Sequence, residues 1–298
     1  MANQAYFNAD AYSEDNMIIV KKKADWINLQ DKIRTKDTTL AFVPTMGALH
    51  QGHISLLKKS KQLANLNVSS IFINPTQFNN PADFKKYPVT TEEDILMLER
   101  NSCDVLFLPG VKEIYPEGEI NTNHIELGYL ETILEGEYRP GHFQGVCQVV
   151  ARLLKIIEPD YLLLGQKDYQ QCMVIKKLLD VLESKVQLII CPTVRDNDGL
   201  ALSSRNLRLT TDERELAPEI YKTLSVIKNE LSTKNIEQLK ADAIQYLEQK
   251  GFKVDYVEVA DALDLHAITE WNGRHPAVIL AAAFVNDIRL IDNIVVDI

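Results

Sequence analysis

PTMGALHQGHISLLKKS, residues 44–60, carries two of the chain's six histidines, His50 and His53, around Gly52. It stands where an apolar run, residues 40–43, gives way to a helix. Gly47 and Gly52 let the backbone approach a ligand closely. A helix that starts near Gly52 or His53 aims backbone N–H groups and a positive dipole end at the same spot. Two imidazoles three residues apart can reach an anion there, so the stretch reads as a phosphate site with mobile, protonatable donors. The spacing Gly-x4-Gly is that of a P-loop, but His53 stands where the lysine should be, and the pattern is not GxGxxG. A metal reading of His50 and His53 lacks a nearby cysteine or a third histidine. A reading as two helix-capping histidines is weaker, because glycine flanks one of them.

Working outward, short apolar runs alternate with helical patterns from about residue 17 to 191. Strands are expected at 40–43, 68–73, 105–108, 161–164 and 186–190, each a continuous apolar or β-branched run, as when both faces are covered. One helix has Val146, Val149, Val150, Leu153, Leu154 and Ile157 on a single face. A second carries Val174, Ile175, Leu178, Leu179 and Leu182. A third opens on a capping box of Thr90 with Glu93. This alternation predicts an α/β fold, a Rossmann-like parallel sheet with helices on both faces and right-handed crossovers. After about Pro192 the pattern changes. One amphipathic helix carries Leu216 to Leu231, with Pro218 kinking or restarting it. Another ends at Gly251, a C′ glycine. Strands are expected again at 254–259, 278–285 and 288–296, the last two joined by Asn286-Asp287. The expected organisation is a disordered extension at 1–16, a nucleotide-binding domain at 17–191 and a smaller α+β lid domain at 192–298.

The 298 residues are about right for two domains. A net charge of −10 argues against a binder of nucleic-acid backbone, while leaving room for a local cationic pocket. Cys103, Cys147, Cys172 and Cys191 are widely spaced, which fits single thiols of a reducing compartment better than disulfides or a zinc site. The first sixteen residues have neither a basic start nor an apolar core of a signal peptide. The longest uncharged apolar run, 277–286, is about half a membrane span. No membrane segment is therefore expected.

In open parallel sheets ligands bind beyond the carboxyl ends of the strands. The stretches at those ends are PTMGALHQGH, then NPTQF at 74–78, GQKD at 165–168 and PTVRDNDGLALSSRN at 192–206. Loops are polar anyway, but four such strand ends converging make a site. Lys167 supplies a point charge for phosphate, and Asp168 can accept from a ribose hydroxyl or orient the lysine. Ser203, Ser204 and Arg205 offer two hydroxyls and a guanidinium fork, which suits a polyphosphate. Gln77 can donate and accept at once, which suits a hydroxy acid.

PTMGALHQGH, NPTQF, RPGHFQGV, GQKD and LSSRN, in this order and spacing, resemble the pantothenate synthetase (pantoate–β-alanine ligase) family of the HxGH nucleotidylyltransferase superfamily, over roughly residue 17 to the C-terminus. The resemblance implies ATP-dependent condensation of (R)-pantoate with β-alanine through a pantoyl-adenylate. It also implies magnesium (Mg2+) with ATP, a homodimer and a cytoplasmic setting. By the same resemblance Met46, Gly47, Ala48, Leu49, His50, Gln51, Gly52 and His53 cradle ATP, with His53 the proton-donor candidate. Gly165, Gln166, Lys167 and Asp168 contact ATP, and Val194 flanks the adenine. Leu202, Ser203, Ser204 and Arg205 close over the phosphates. Gln77 and Gln171 hold pantoate, Gln77 adjoins β-alanine, and Asn74, Tyr87, Arg139 and His142 match further motif positions.

Carboxylate attack on the α-phosphorus asks for positioning and fixed donors rather than a protein nucleophile. His50, His53, Lys167 and Arg205 are the expected parts. Two rival readings are an HxGH enzyme that adenylylates a phosphate and a non-catalytic, tRNA-associated nucleotide module. Dependence on β-alanine separates the first from the ligase, and the acidic balance disfavours the second.

Overall fold

The computed structural model describes residues 17–119 and 124–298. The extension expected at 1–16 lies outside the described residues. Six strands, β1 (Ile18–Val20), β2 (Leu40–Thr45), β3 (Leu66–Ile71), β4 (Val105–Phe107), β5 (Tyr161–Gly165) and β6 (Gln187–Cys191), form one sheet in the order β1-β4-β3-β2-β5-β6. Every pairing in it is parallel. Leu40, Phe42, Val68, Val105, Phe107 and Leu162 are fully buried, because helices cover both faces. That burial is why β2, β4 and β5 read as mostly apolar runs, while β3 buries Asn67, Ser69 and Ser70 among its apolar residues. The edge strand β1 is an addition to the sequence reading. It spans three residues, too few to show a period, and it is fixed by its pairing with β4.

A second sheet is antiparallel: β7 (Lys253–Asp261), β8 (Ala277–Val285) and β9 (Ile288–Val296), with β8 in the middle. Asn286, at φ +50, makes the two-residue turn between β8 and β9. Alternate residues of β8 serve two cores. Ala277, Ile279, Ala281 and Ala283 pack with the helices Glu219–Glu230 and Ile236–Gln249. Val278 and Leu280 pack in the core of the six-stranded sheet, with Tyr169 and Met173. A strand buried on both faces explains the longest apolar run of the chain. Pro218 does restart a helix: Thr211–Leu216 ends before it and Glu219–Glu230 comes after it.

The capping box expected at Thr90 and Glu93 does not form. The Thr90 hydroxyl instead donates to Asp94 Oδ1 at 3.1 Å. Asp94 is a carboxylate from the first turn of helix Thr91–Arg100, and it is buried.

Candidate active site

In the strand order, β2 and β5 are neighbours, yet the chain leaves β2 for β3 on one side and β5 for β6 on the other. That reversal opens a crevice at the carboxyl ends of β2 and β5. A cavity of about 220 Å³ lies there. Met46, His50, Gly52 and His53 line it from the loop after β2, and Asn74 and Gln77 from the loop after β3. Gly165, Lys167, Asp168 and Gln171 line it from the end of β5, and Val194, Leu202, Ser203, Ser204 and Arg205 from the loop after β6. Tyr87, Arg139 and His142 line it too. Gly47, Ala48, Leu49, Gln51 and Gln166 do not.

The reason lies in the loop backbone. Gly47 (φ +79) and Ala48 (φ +48) are both left-handed. The amides of Ala48 and Leu49 donate to the Asp94 carboxylate at 2.9 and 2.7 Å. A Cβ on Gly47 would stand 2.9 Å from Asp94 Oδ2, so the loop closes on that carboxylate only with glycine there. Leu49 is a core residue beside Ile71 and Leu106.

Both histidines are caps, the reading set aside above. His50 is the N-cap of helix Gln51–Ser60, and its Nδ1 accepts from the Gly52 amide at 3.1 Å. His53 Nδ1 accepts from the His50 amide at 3.2 Å. The amide of His53 goes to the His50 carbonyl, so Gly52 and His53 offer no bare amide. Capping fixes the tautomer instead. With Nδ1 accepting on each ring, the proton sits on Nε2, and two Nε2–H donors remain for a ligand. The ring centroids are 4.1 Å apart. Burial, with Lys167 adding repulsion, lowers the His50 pKa to about 4. Burial, His50 and Lys167 hold His53 well below its ordinary value. The donors are therefore neutral at pH 7 without ligand.

Lys167 Nζ lies 3.5 Å from Asp168 Oδ1, the only carboxylate on this cavity's wall among the described residues. The Gln166 side chain turns away and donates to Asn293 Oδ1 at 3.2 Å. Ser204 is buried and donates to the Ala48 carbonyl at 2.9 Å, tying the loop after β6 to the loop after β2. Arg205 lines the cavity, but its guanidinium bonds Asp83 at 2.9 Å, a carboxylate shared with Arg208 at 2.8 Å. A phosphate there competes with that carboxylate.

The NPTQF loop is fixed from below. Asn74 Nδ2 donates to Gln77 Oε1 and to the Gly145 carbonyl, both at 3.1 Å, and its Oδ1 accepts from Tyr115 at 2.7 Å. With its amide so engaged, Asn74 orients Gln77. A Cβ on Gly145 would stand 2.2 Å from the Thr76 carbonyl, so glycine lets helix His142–Ile157 reach the loop. His142 Nδ1 donates to the Gln77 carbonyl at 2.8 Å. The far wall is apolar, with Phe72, Val146, Val149, Val150 and Leu164. Sequence periodicity had placed the valines in the core without pointing to a ligand.

His142 gives a pH prediction. Burial, with repulsion from Arg139, lowers its pKa from 6.5 to about 3. The unfolded chain then binds the proton that the fold rejects. Stability from this ring is complete above pH 6.5 and is lost as pH falls towards 3. The melting-temperature advantage of the wild type over His142→Asn should therefore shrink between pH 7 and pH 4. A difference that stays flat over that range contradicts a neutral buried ring.

Comparison with known proteins agrees with this geometry. The sequence pattern of the pantoate–β-alanine ligase family matches residues 18–295. A pantothenate synthetase of Cytophaga hutchinsonii is 45% identical over 266 residues, 88% of this chain and 93% of that protein. A pantoate–β-alanine ligase of Schizosaccharomyces pombe is 43% identical over 93% of this chain and 98% of its own. The crystal structure of pantothenate synthetase from Thermus thermophilus superposes with a TM-score of 0.85 at 35% identity, covering 93% of this chain and 99% of that one. A pantoate–β-alanine ligase of Francisella tularensis, crystallised with β-γ ATP and β-alanine, superposes at 0.78 with 40% identity, over 93% and 97% of the two chains. On sequence and fold alike, the chain belongs to the pantoate–β-alanine ligase family.

Proposed function

We infer that this chain condenses (R)-pantoate with β-alanine at the expense of ATP, giving pantothenate, AMP and pyrophosphate through a pantoyl-adenylate. The observation that carries the reading is the pairing of two tautomer-locked Nε2–H donors with Lys167 in one cavity, whose other end is apolar and amide-lined. Pantoate is a dimethylated dihydroxy acid. Its methyl groups suit Phe72, Val146 and Val150, and its hydroxyls suit Gln77 and Gln171, placed by Asn74 and by helix Tyr169–Val181.

In the first step a pantoate carboxylate oxygen attacks the α-phosphorus, and the bond to the β-phosphate bridging oxygen breaks. Negative charge passes to pyrophosphate. Neutral Nε2–H groups of His50 and His53, with the Lys167 ammonium, stabilise that charge by hydrogen bonds fixed before reaction. In the second step the β-alanine amine attacks the acyl carbon, loses a proton and expels AMP. The first step then draws on both ends of the cavity, with pantoate at the Gln77 end and the triphosphate at the histidine end, and the second draws chiefly on the Gln77 end.

Among the described residues no cluster of three or more His, Cys, Asp or Glu could hold a metal ion alone. That fits Mg2+, which binds through phosphates, water and one or two carboxylates. Asp168 would hold it, and the ion would neutralise phosphate charge. We also read 192–298 as a second domain that covers the nucleotide loops, and the family resemblance extends to a homodimer and a cytoplasmic setting. Among the described residues no helix is long and apolar enough to cross a membrane.

The test is to omit pantoate, β-alanine and ATP in turn while measuring AMP. Net AMP should require all three. Pyrophosphate release with a phosphorylated acceptor in place of pantoate, the AMP staying joined to that acceptor, would favour the nucleotidylyltransferase reading.

A further inference from the structure

Strand β9 carries an Asp-Asn pair, Asp292 and Asn293, in the middle of an otherwise mostly apolar strand, and both side chains are buried. Buried polar side chains persist where their hydrogen bonds are met. β9 is an edge of its own sheet, and its two polar side chains bond away from it, Asn293 to the turn after β5 and Asp292 to Arg195 in the loop after β6. Asn293 Nδ2 donates to the carbonyls of Gln166 and Lys167, both at 2.9 Å, and its Oδ1 accepts from Gln166 Nε2. Asp292 accepts both Nη groups of Arg195, at 2.6 and 2.9 Å. The Arg195 guanidinium also donates to the carbonyls of Gly199 and Asn293 and stacks 4.0 Å from the centre of the Tyr221 ring.

Arg195 and Ala201 pair as a two-residue antiparallel bridge, and the Leu202 amide donates to the Val194 carbonyl at 2.9 Å. Holding Arg195 therefore holds Val194 on one arm and the start of LSSR on the other. Successive residues of a strand point to opposite faces. Asp292 and Asn293 thus address two different loops from adjacent positions.

We propose that Asp292 and Asn293 position the nucleotide loops, and that Asn293 sets Lys167 for the adenylation step. Asn293 reaches Lys167 through its main-chain carbonyl, which leaves the ammonium for ligand. The C-terminal domain is then a fixed wall of the ATP site at this strand, and any closing motion has to carry the GQKD turn and the 195–201 bridge with it. The proposal rests on the function inferred above.

The test is Asn293→Ala, read by three measurements. The first is exchange of labelled pyrophosphate into ATP with pantoate and no β-alanine. The second is conversion of supplied pantoyl-adenylate and β-alanine to pantothenate. The third is the melting temperature. Displacing a catalytic group by about 1 Å costs on the order of 100-fold. Exchange should therefore fall by about 10- to 100-fold in kcat/KM for ATP, while the second conversion changes less than about threefold. Equal loss in both half-reactions would make Asn293 a merely structural residue and overturn the proposal, as would unchanged exchange. Should Asn293→Ala fail to fold, Asn293→Ser keeps one donor and carries the same comparison. A wild type that shows no exchange at all, with or without β-alanine, would instead overturn the function on which the proposal rests.

Discussion

His53→Ala should lose pyrophosphate exchange by about 10²–10³-fold, roughly 3–4 kcal/mol of transition-state stabilisation, while its conversion of supplied pantoyl-adenylate stays comparatively intact. Placement is the reason. His53 accepts the His50 amide on Nδ1, so its remaining donor, Nε2–H, is fixed in direction before substrate arrives. In the first half-reaction charge passes to the pyrophosphate leaving group, whereas in the second it passes to the acyl oxygen and to the AMP oxygen that leaves from the acyl carbon. The second half-reaction, attack of an amine on an acyl carbon, asks for that donor less. The variant also removes a cap, worth about 1 kcal/mol of stability. His53→Asn separates the two effects: its side-chain oxygen can accept the same amide but cannot reach as far as Nε2. It should melt close to the wild type and still lose exchange. If His53→Asn recovers exchange along with stability, the ring serves the turn and not the phosphate. If exchange in the wild type strictly requires β-alanine, the two-step order is wrong.

The positions that line the candidate site were largely legible because they sit just beyond strands that were legible. β2, β4 and β5 are buried on both faces and show as mostly apolar runs, β3 keeps apolar ends around buried Asn67, Ser69 and Ser70, and the half-buried edge strand β6 still carries Leu188, Ile189 and Ile190, so the carboxyl ends can be found from composition. The residues just past each end could then be read for ligand chemistry. The remainder was hidden for a physical reason. Asp94 acts on amides 45 and 46 residues away, and Asn293 on carbonyls 126 and 127 residues away. No local pattern encodes such a contact. Locally, Thr90 and Glu93 offer a sound capping box, yet the tertiary demand of the 47–49 turn takes the Thr90 hydroxyl for Asp94. The histidines show the same competition. Their spacing says anion site, and their backbone bonds say helix cap. The two are compatible because the nitrogens of each ring are divided: Nδ1 makes the capping bond, and Nε2–H is left for the proposed anion.

Asp94→Ala should be the most damaging single change outside the cavity wall. The carboxylate is 2 % exposed, and it is the partner of the Ala48 and Leu49 amides. Removing it leaves two buried donors without a partner, each costing about 1–3 kcal/mol. Together that is on the order of 2–6 kcal/mol, a large part of the roughly 5–15 kcal/mol typical of a folded domain. It also releases Ala48 from a left-handed conformation that alanine does not favour. The 47–49 turn would then relax, moving the start of helix Gln51–Ser60 and with it His50 and His53. A fall in melting temperature of roughly 10 °C is expected if each kcal/mol is worth about 2–4 °C in a chain of this size. The milder Asp94→Asn keeps one acceptor oxygen but turns its NH2 towards an amide donor. It should fold, with pyrophosphate exchange reduced by about 10- to 100-fold through misplaced donors. Adding Ala48→Gly to Asp94→Asn should restore part of the stability, because glycine holds φ +48 without strain. It should restore little of the exchange, because glycine does not re-anchor the turn. Wild-type exchange in Asp94→Asn would show that the turn holds its shape without the carboxylate, and that the histidines are placed by their own capping bonds alone.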